Sequence, residues 1–166
     1  MQLDSTDLRL LALLQEDASV SNQELADRAY TSPATALRRV RRLVEAGVIE
    51  RRVALLNLKA LGHGEGLCAL VEVTLDRQGV EHLDAFEARA VAEGPVQQCW
   101  RVSPGPDFVL VLQVADMPGY QALVQRLFTQ DANVRNVKAF FSVKRAKFDT
   151  RVPLPGLLNS ATAPDP

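Results

Sequence analysis

The chain is poor in the residues that most often carry redox, metal or membrane chemistry. Its 166 residues include two cysteines, Cys68 and Cys99, and two histidines, His63 and His82. No CxxC pair exists and the histidines complete no zinc spacing, so neither a metal nor another cofactor is expected. Each cysteine stands alone in an apolar, strand-like run, which predicts buried free thiols in a reducing compartment. No apolar stretch approaches the roughly 20 residues that span a bilayer, and the acidic start has no leader pattern. A cytoplasmic protein without a membrane partner is the expectation. Charge of one sign is missing too. The formal net charge is -1, the pI is about 6.1, and eight arginines face eight acidic residues in the first 52 positions. Any nucleic-acid signal must therefore come from clustering, not from excess charge.

Hydrophobic residues make up 47% of the chain, enough for a packed core. The most informative stretch is Ser32 to Ile49, SPATALRRVRRLVEAGVI. Ser32 suits an N-cap, Pro33 suits the first helical position, and Gly47 suits a left-handed C-terminal cap. At 100° per residue Ala36, Val40 and Leu43 share one face, with Val44 at its edge. Ala34, Thr35, Arg38, Arg41 and Arg42 lie on roughly the opposite face, and Arg39 on a flank. A solvated arginine face is the ordinary reading of such a helix. The stretch before it changes the reading. Ser21 and Glu24 have capping-box spacing and open a short helix to about Ala29, and Tyr30-Thr31 links it to Ser32. Two short helices, the second basic, form the helix-turn-helix pattern, whose second helix enters the DNA major groove by its N-terminal end.

A first helix begins near Asp4 or Ser5, with Leu8, Leu11 and Leu14 facing inward. Residues 48–57 alternate as a strand, and Arg51 and Arg52 there are either phosphate contacts or a solvated pair. Gly62, Gly64 and Gly66 mark a hinge. The patterns that follow run strand (67–75), helix (80–93), strand (96–103), strand (107–115), helix (118–130), strand (134–147). The fold class expected is α+β: an N-terminal winged helix-turn-helix, with three helices and a short strand pair, joined to a C-terminal ferredoxin-like βαββαβ domain. The expected segments are 1–52, a linker at 53–66, 67–150, and a tail at 151–166 that is disordered from Ser160. Two helices cover one sheet face only. The other, assigned Cys68, Leu70, Val109, Val111 and Phe141 or their alternating neighbours, calls for a second copy.

The chain resembles the Lrp/AsnC family of transcription regulators over nearly its whole length. The resemblance is carried by Leu3-Asp4 and Asp7, by Ser21-Asn22 and Glu24-Leu25-Ala26, and by Ser32, Thr35, Arg39, Val40, Arg42, Leu43, Gly47, Val48 and Ile49. It continues through Leu56-Asn57, Leu61-Gly62, Cys99, Val102, Asp107-Phe108, Val134, Lys144-Arg145, Thr150 and Pro153-Leu154. It implies double-stranded DNA as partner, homodimers that assemble to octamers, and an amino acid or related effector held between effector domains. The effector would lie against the loop joining the second and third strands and against the last strand. Here that loop is Val102-Ser103-Pro104-Gly105-Pro106-Asp107-Phe108. Pro104 stands where the family usually has glycine, and Ala139 where threonine is common. Proline offers no N–H to a carboxylate, a role that Gly105 could restore. Asp107 either holds an α-ammonium or caps the strand turn.

Ser32, Ala34, Thr35 and Arg38 are thus expected at base edges. Arg39, Arg41, Arg42, Arg51 and Arg52 are expected at phosphates or in support of that placement. Ser103, Pro104, Gly105, Asp107 and Ala139 are expected at an effector. An enzyme resembling sirohaem decarboxylases is the rival from another class; two histidines and an intact arginine helix speak for a regulator that is not an enzyme. A sensor that acts through hetero-oligomers without binding DNA is the third reading.

Overall fold

The computed structural model describes residues 2–58, 60, 61 and 66–154. His63, Gly62, Gly64 and the tail from Ser160 lie outside the described residues. The chain divides into two compact units, one running to Leu55 and taking in the chain from Lys147, the other Leu56–Ala146.

The first unit is a three-helix body: α1 (Ser5–Glu16), α2 (Asn22–Arg28) and α3 (Pro33–Glu45). Asp4 is the N-cap of α1; its carboxylate accepts from the N–H groups of Thr6 and Asp7, and the Asp7 side chain accepts from the Asp4 N–H. This reciprocal box satisfies donors that the first turn leaves free. The capping box expected at Ser21 is half made: the Ser21 hydroxyl accepts from Glu24 N–H at 3.1 Å. Leu10, Leu25, Ala26, Ala29, Ala36 and Val40 form the core, with Leu13, Leu14, Val20 and Ile49 around it. Leu10, not Leu8, takes the central place on α1. Residues 48–57 form no strand, contrary to the alternating pattern. A strand needs a neighbouring ladder, and this stretch has none among the described residues; Val53, Leu55 and Leu56 stand exposed.

Residues Lys147 to Leu154 return to this same unit. The Gln15 amide donates to the Val152 carbonyl at 3.2 Å and accepts from the Val152 N–H at 2.7 Å. A side-chain amide here pairs with a peptide unit as a second strand would.

The second unit has strands β1 (Leu67–Leu75), β2 (Val96–Arg101), β3 (Phe108–Val114) and β4 (Val134–Phe141), in the antiparallel order β2-β3-β1-β4. Helices α4 (Val80–Ala92) and α5 (Met117–Val124), the latter continued by a π-helical turn at Gln125–Thr129, are the two helices of the βαββαβ order. Strand alternation sends Ala69, Val71, Val73, Leu75, Phe108, Leu110, Leu112 and Val114 into one core with Phe86, Ala90, Leu123, Leu127 and Phe128. β4 ends at Phe141, six residues earlier than its pattern suggests. Ala69↔Phe141 is the last pair of the β1–β4 ladder, followed by a Ser142 N–H to Cys68 carbonyl bond; β1 itself runs on to Leu67, which pairs with Val114 of β3.

The opposite sheet face is made by the alternate residues. Leu70 lies across from Val111 on one side and from Phe140 on the other, and Val109 lies across from Trp100. Phe141 is on the helix-facing side, its ring 4.9 Å from that of Tyr120. Its neighbour Phe140 is the residue of the open face, because a shift of one position reverses the side. Leu70, Trp100 and Phe140 are all exposed. The two cysteines are half-buried free thiols, not fully buried ones. Burial pushes the Cys99 thiol upward.

Candidate nucleic-acid interface and effector loop

Helix α3 is positioned by its caps and by its neighbours. The Ser32 hydroxyl accepts from Thr35 N–H at 3.2 Å and meets the Thr35 hydroxyl at 2.9 Å, so the first turn is fixed by its own side chains. Asn22, at the start of α2, donates from its side-chain amide to the Pro33 carbonyl at 2.9 Å. That bond ties the two helix starts together across the turn. Gly47 takes φ 69 after the C-terminal turn, the conformation that its type favours.

The arginines divide into two sets. Arg39 Nη1 lies 2.7 Å from Asp4 Oδ2 and 2.9 Å from Asp7 Oδ1, and Arg42 Nη2 lies 2.6 Å from Asp7 Oδ2. Both reach back to α1. Asp7 is 1% exposed, a buried carboxylate in the body of the unit. Burial pushes its carboxyl up, but the hydrogen bonds from Arg39 and the Asp4 N–H, with Arg42 adding to them, hold it below the usual carboxylate range. Asp4 is held at about 2 by the Asp7 N–H and by Arg39. Arg39 and Arg42 therefore join α3 to α1, and the outward face is left to the others. Arg38, Arg41 and Arg52 are exposed and form no ion pair or side-chain hydrogen bond among the described residues. Arg51 stands 3.9 Å from Glu50, both well exposed.

Ala34, Thr35 and Arg38 occupy the first turns of α3, with Ala34 and Arg38 exposed and Thr35 half-buried. Small side chains at the helix start leave the backbone close to whatever lies in front of it, and a long cation follows one turn on. A groove of about 490 Å³ lies between α3 and the chain after it, lined by Leu37, Val40, Val44 and Ile49 beneath Arg41, Arg51 and Arg52.

Two features of this unit are not evident from the helix pattern alone. Asp7 is a buried counter-charge, signalled by aspartates at positions 4 and 7 facing arginines at 39 and 42, each pair one helical turn apart. Tyr30 adopts φ 55 and is 87% exposed, in a turn whose backbone would suit glycine.

In the second unit, Ser103, Pro104 and Gly105 form an exposed loop between β2 and β3, with Gly105 at φ 126. The Asp107 carboxylate accepts from the Leu75 N–H at 2.7 Å and from the Gln78 amide at 3.3 Å, while its own N–H donates to the Val73 carbonyl. These bonds close the end of the β1–β3 pair. Ala139 lies across from Val71 on the helix-facing side and packs against the core. Strand β1 stands between β3, which the loop leads into, and β4, which carries Ala139. One chain thus leaves these residues on two separate strands.

Residues 3–50 match a family model described as winged helix-turn-helix DNA-binding, and residues 68–152 match one described as the Lrp/AsnC ligand binding domain. A leucine-responsive regulatory protein of Rhizobium meliloti is 37% identical over 147 residues, covering 89% of this chain and 93% of the relative. The leucine-responsive regulatory protein of Salmonella typhimurium is 33% identical over 150 residues, covering 90% of each. Among solved structures, a Neisseria meningitidis transcriptional regulator in complex with L-Met superposes with a TM-score of 0.83 at 29% identity, covering 95% of this chain and all of that one. An AsnC family regulator from Agrobacterium tumefaciens gives 0.82 at 28% identity, covering 91% and 97%.

Proposed function

This chain belongs to the Lrp/AsnC family of DNA-binding transcriptional regulators, and from that premise we propose which of its residues read DNA and where an effector acts. Ser32, Ala34, Thr35 and Arg38 meet base edges at the N-terminal end of α3 in the major groove. Arg41, Arg51 and Arg52 hold flanking phosphates, which position the helix without reading sequence. Arg39 and Arg42 act one step removed, by fixing the angle at which α3 leaves α1. The observation that carries this reading is the division of the arginines. Arg39 and Arg42 pair with Asp4 and Asp7, and Arg38, Arg41 and Arg52 stay exposed without partners among the described residues.

The open sheet face supports a homodimer. Leu70, Val109, Val111, Trp100 and Phe140 lie on one side of the sheet with no helix over them, and a second copy would bury them against the same residues by two-fold symmetry. Further assembly to an octamer follows the family pattern. A two-fold pair of α3 helices reads a pseudo-palindrome with half-sites about one helical turn apart, roughly 34–36 Å, or a multiple of it.

An amino acid is the proposed effector, by likeness to the relative bound to L-Met. Ser103, Pro104, Gly105 and Asp107 of one subunit and the region of Ala139 in another would enclose it, since β1 separates the two within one chain. Asp107 already serves two donors, so it contributes by holding the loop. Effector action requires different affinity for two assembly states.

The experiment is Arg38→Ala in the full chain, titrated onto a duplex selected from a random pool by the wild-type protein and onto a random duplex. A bidentate base contact predicts a loss of about 1–3 kcal/mol on the selected duplex alone. An equal loss on both would make Arg38 a phosphate contact.

A further inference from the structure

We propose that Tyr30 is a DNA-backbone contact, its ring covering a deoxyribose and its hydroxyl donating to a phosphate oxygen beside the segment of α3 that reads bases. The inference rests on the DNA-binding reading and extends it to a residue outside the arginine helix.

Tyr30 is the one non-glycine residue with positive φ among the described residues, at 55°. That region is disfavoured for L-residues, and most of all for bulky ones, because Cβ approaches the following carbonyl. The turn itself imposes the conformation. Tyr30 N–H donates to the Asp27 carbonyl at 3.1 Å and Thr31 N–H to the Ala26 carbonyl at 2.9 Å, which closes α2 and turns the chain toward Ser32. Glycine or asparagine would meet that demand with less strain. Tyrosine meets it and gains no packing in return, since its side chain is 87% exposed while the next residue back, Ala29, is fully buried. Among the described residues no hydrogen bond or ring contact of the Tyr30 side chain offsets the strain. An external partner does, and strain of this kind is retained where a site uses it.

The position identifies the partner. Tyr30 stands two residues before the N-cap of α3, in the turn whose far side is tied by the Asn22 to Pro33 bond. A tyrosine is a neutral hydrogen-bond donor with an apolar body, suited to a sugar and a phosphate oxygen together. Such a contact fixes the register of α3 without distinguishing one base from another.

The test uses Tyr30→Gly and Tyr30→Phe in the full chain, titrated against the selected duplex and a random duplex over a range of salt, with thermal unfolding measured without DNA. Tyr30→Gly should lose roughly tenfold in affinity on both duplexes. Its melting temperature should not fall, because glycine relieves the strained φ. Tyr30→Phe should lose a smaller factor, that of the hydroxyl. The salt slope should stay unchanged in both, since a neutral donor releases no counterion, whereas Arg41→Ala should lower the slope by about one. Affinity of Tyr30→Gly within about twofold of wild type would overturn the proposal. So would a loss confined to the selected duplex, or a lowered melting temperature. If the wild-type protein binds neither duplex, the DNA-binding reading falls with it. A loss in Arg38→Ala with none in Tyr30→Gly overturns the Tyr30 contact alone.

Discussion

Replacing Asp7 by asparagine keeps the side chain's shape and removes the one buried charge among the described residues of the helical unit. Asp7 accepts from Arg39 at 2.9 Å, from Arg42 at 2.6 Å and from the Asp4 N–H at 3.2 Å. Breaking a buried ion pair from one side costs about 3–5 kcal/mol, because the remaining charge is left without its partner. Two features lower that figure here: Arg39 keeps Asp4, and Arg42, with 43% of its side chain exposed, can return to water. A loss of about 2 kcal/mol is therefore expected, a drop in melting temperature of roughly 10 °C for a unit of this size. Thermal unfolding followed by circular dichroism at pH 7 reads it directly. The acid limb supplies a second reading. Both Asp4 and Asp7 have folded values depressed below the ordinary carboxylate value, Asp4 to about 2. Their contribution is complete above the unfolded value and is lost as pH falls through the folded one. Wild-type stability should thus decline from about pH 4 toward pH 2, and Asp7→Asn should decline less over that window. A melting temperature within about 3 °C of wild type, with the same acid limb, would refute the view that this cluster holds α3 to α1.

Leu70→Asp, which puts a charge at the centre of the open sheet face, should shift the protein to monomer in sedimentation velocity while leaving each unit folded; an unchanged assembly would exclude that face as the interface. Gln15→Ala removes both bonds to Val152, so trypsin should cut after Arg151 several times faster, as mapped by mass spectrometry, with no change at sites inside α3. A thermal-melt screen against the twenty amino acids should yield at least one stabilising ligand, since a ligand at 100 times its Kd adds about 2.7 kcal/mol. No shift with any of them would remove amino acids as the effector class.

The parts of this molecule that are fixed locally were legible in the sequence. Ser32, Pro33 and Gly47 bound α3 as their cap preferences require, with the helix running Pro33–Glu45 and Gly47 at positive φ. The βαββαβ order followed from alternation and turn residues; alternation left open which set of strand residues faces outward, and the structure puts Leu70 and Val109 there and Phe141 on the helix side. What depends on distant partners was not legible. Residues 48–57 alternate like a strand, but a ladder needs a second strand, which no pattern within that stretch supplies. β4 ends at the Ala69↔Phe141 pair while its alternating pattern runs on to Lys147, and that end lies in a pairing with residues some 70 positions away. Arg42 shares a helical-wheel face with Arg38 and Arg41, and Arg39 lies on a flank; the packing of α1 against α3 shows that Asp7 claims Arg39 and Arg42. Asp107 is a similar case, since the donor that occupies it belongs to Leu75.

The proposed reader of DNA sequence is α3, with a cationic face made by Arg38, Arg41, Arg51 and Arg52. Fluorescence anisotropy of the wild-type protein on a duplex selected from a random pool, and on a scrambled duplex of the same composition, tests it most directly. Binding to the selected duplex should be tighter by about 1,000-fold or more, with affinity for both falling steeply as salt rises. Equal affinity for the two duplexes, or binding indifferent to salt, would contradict it.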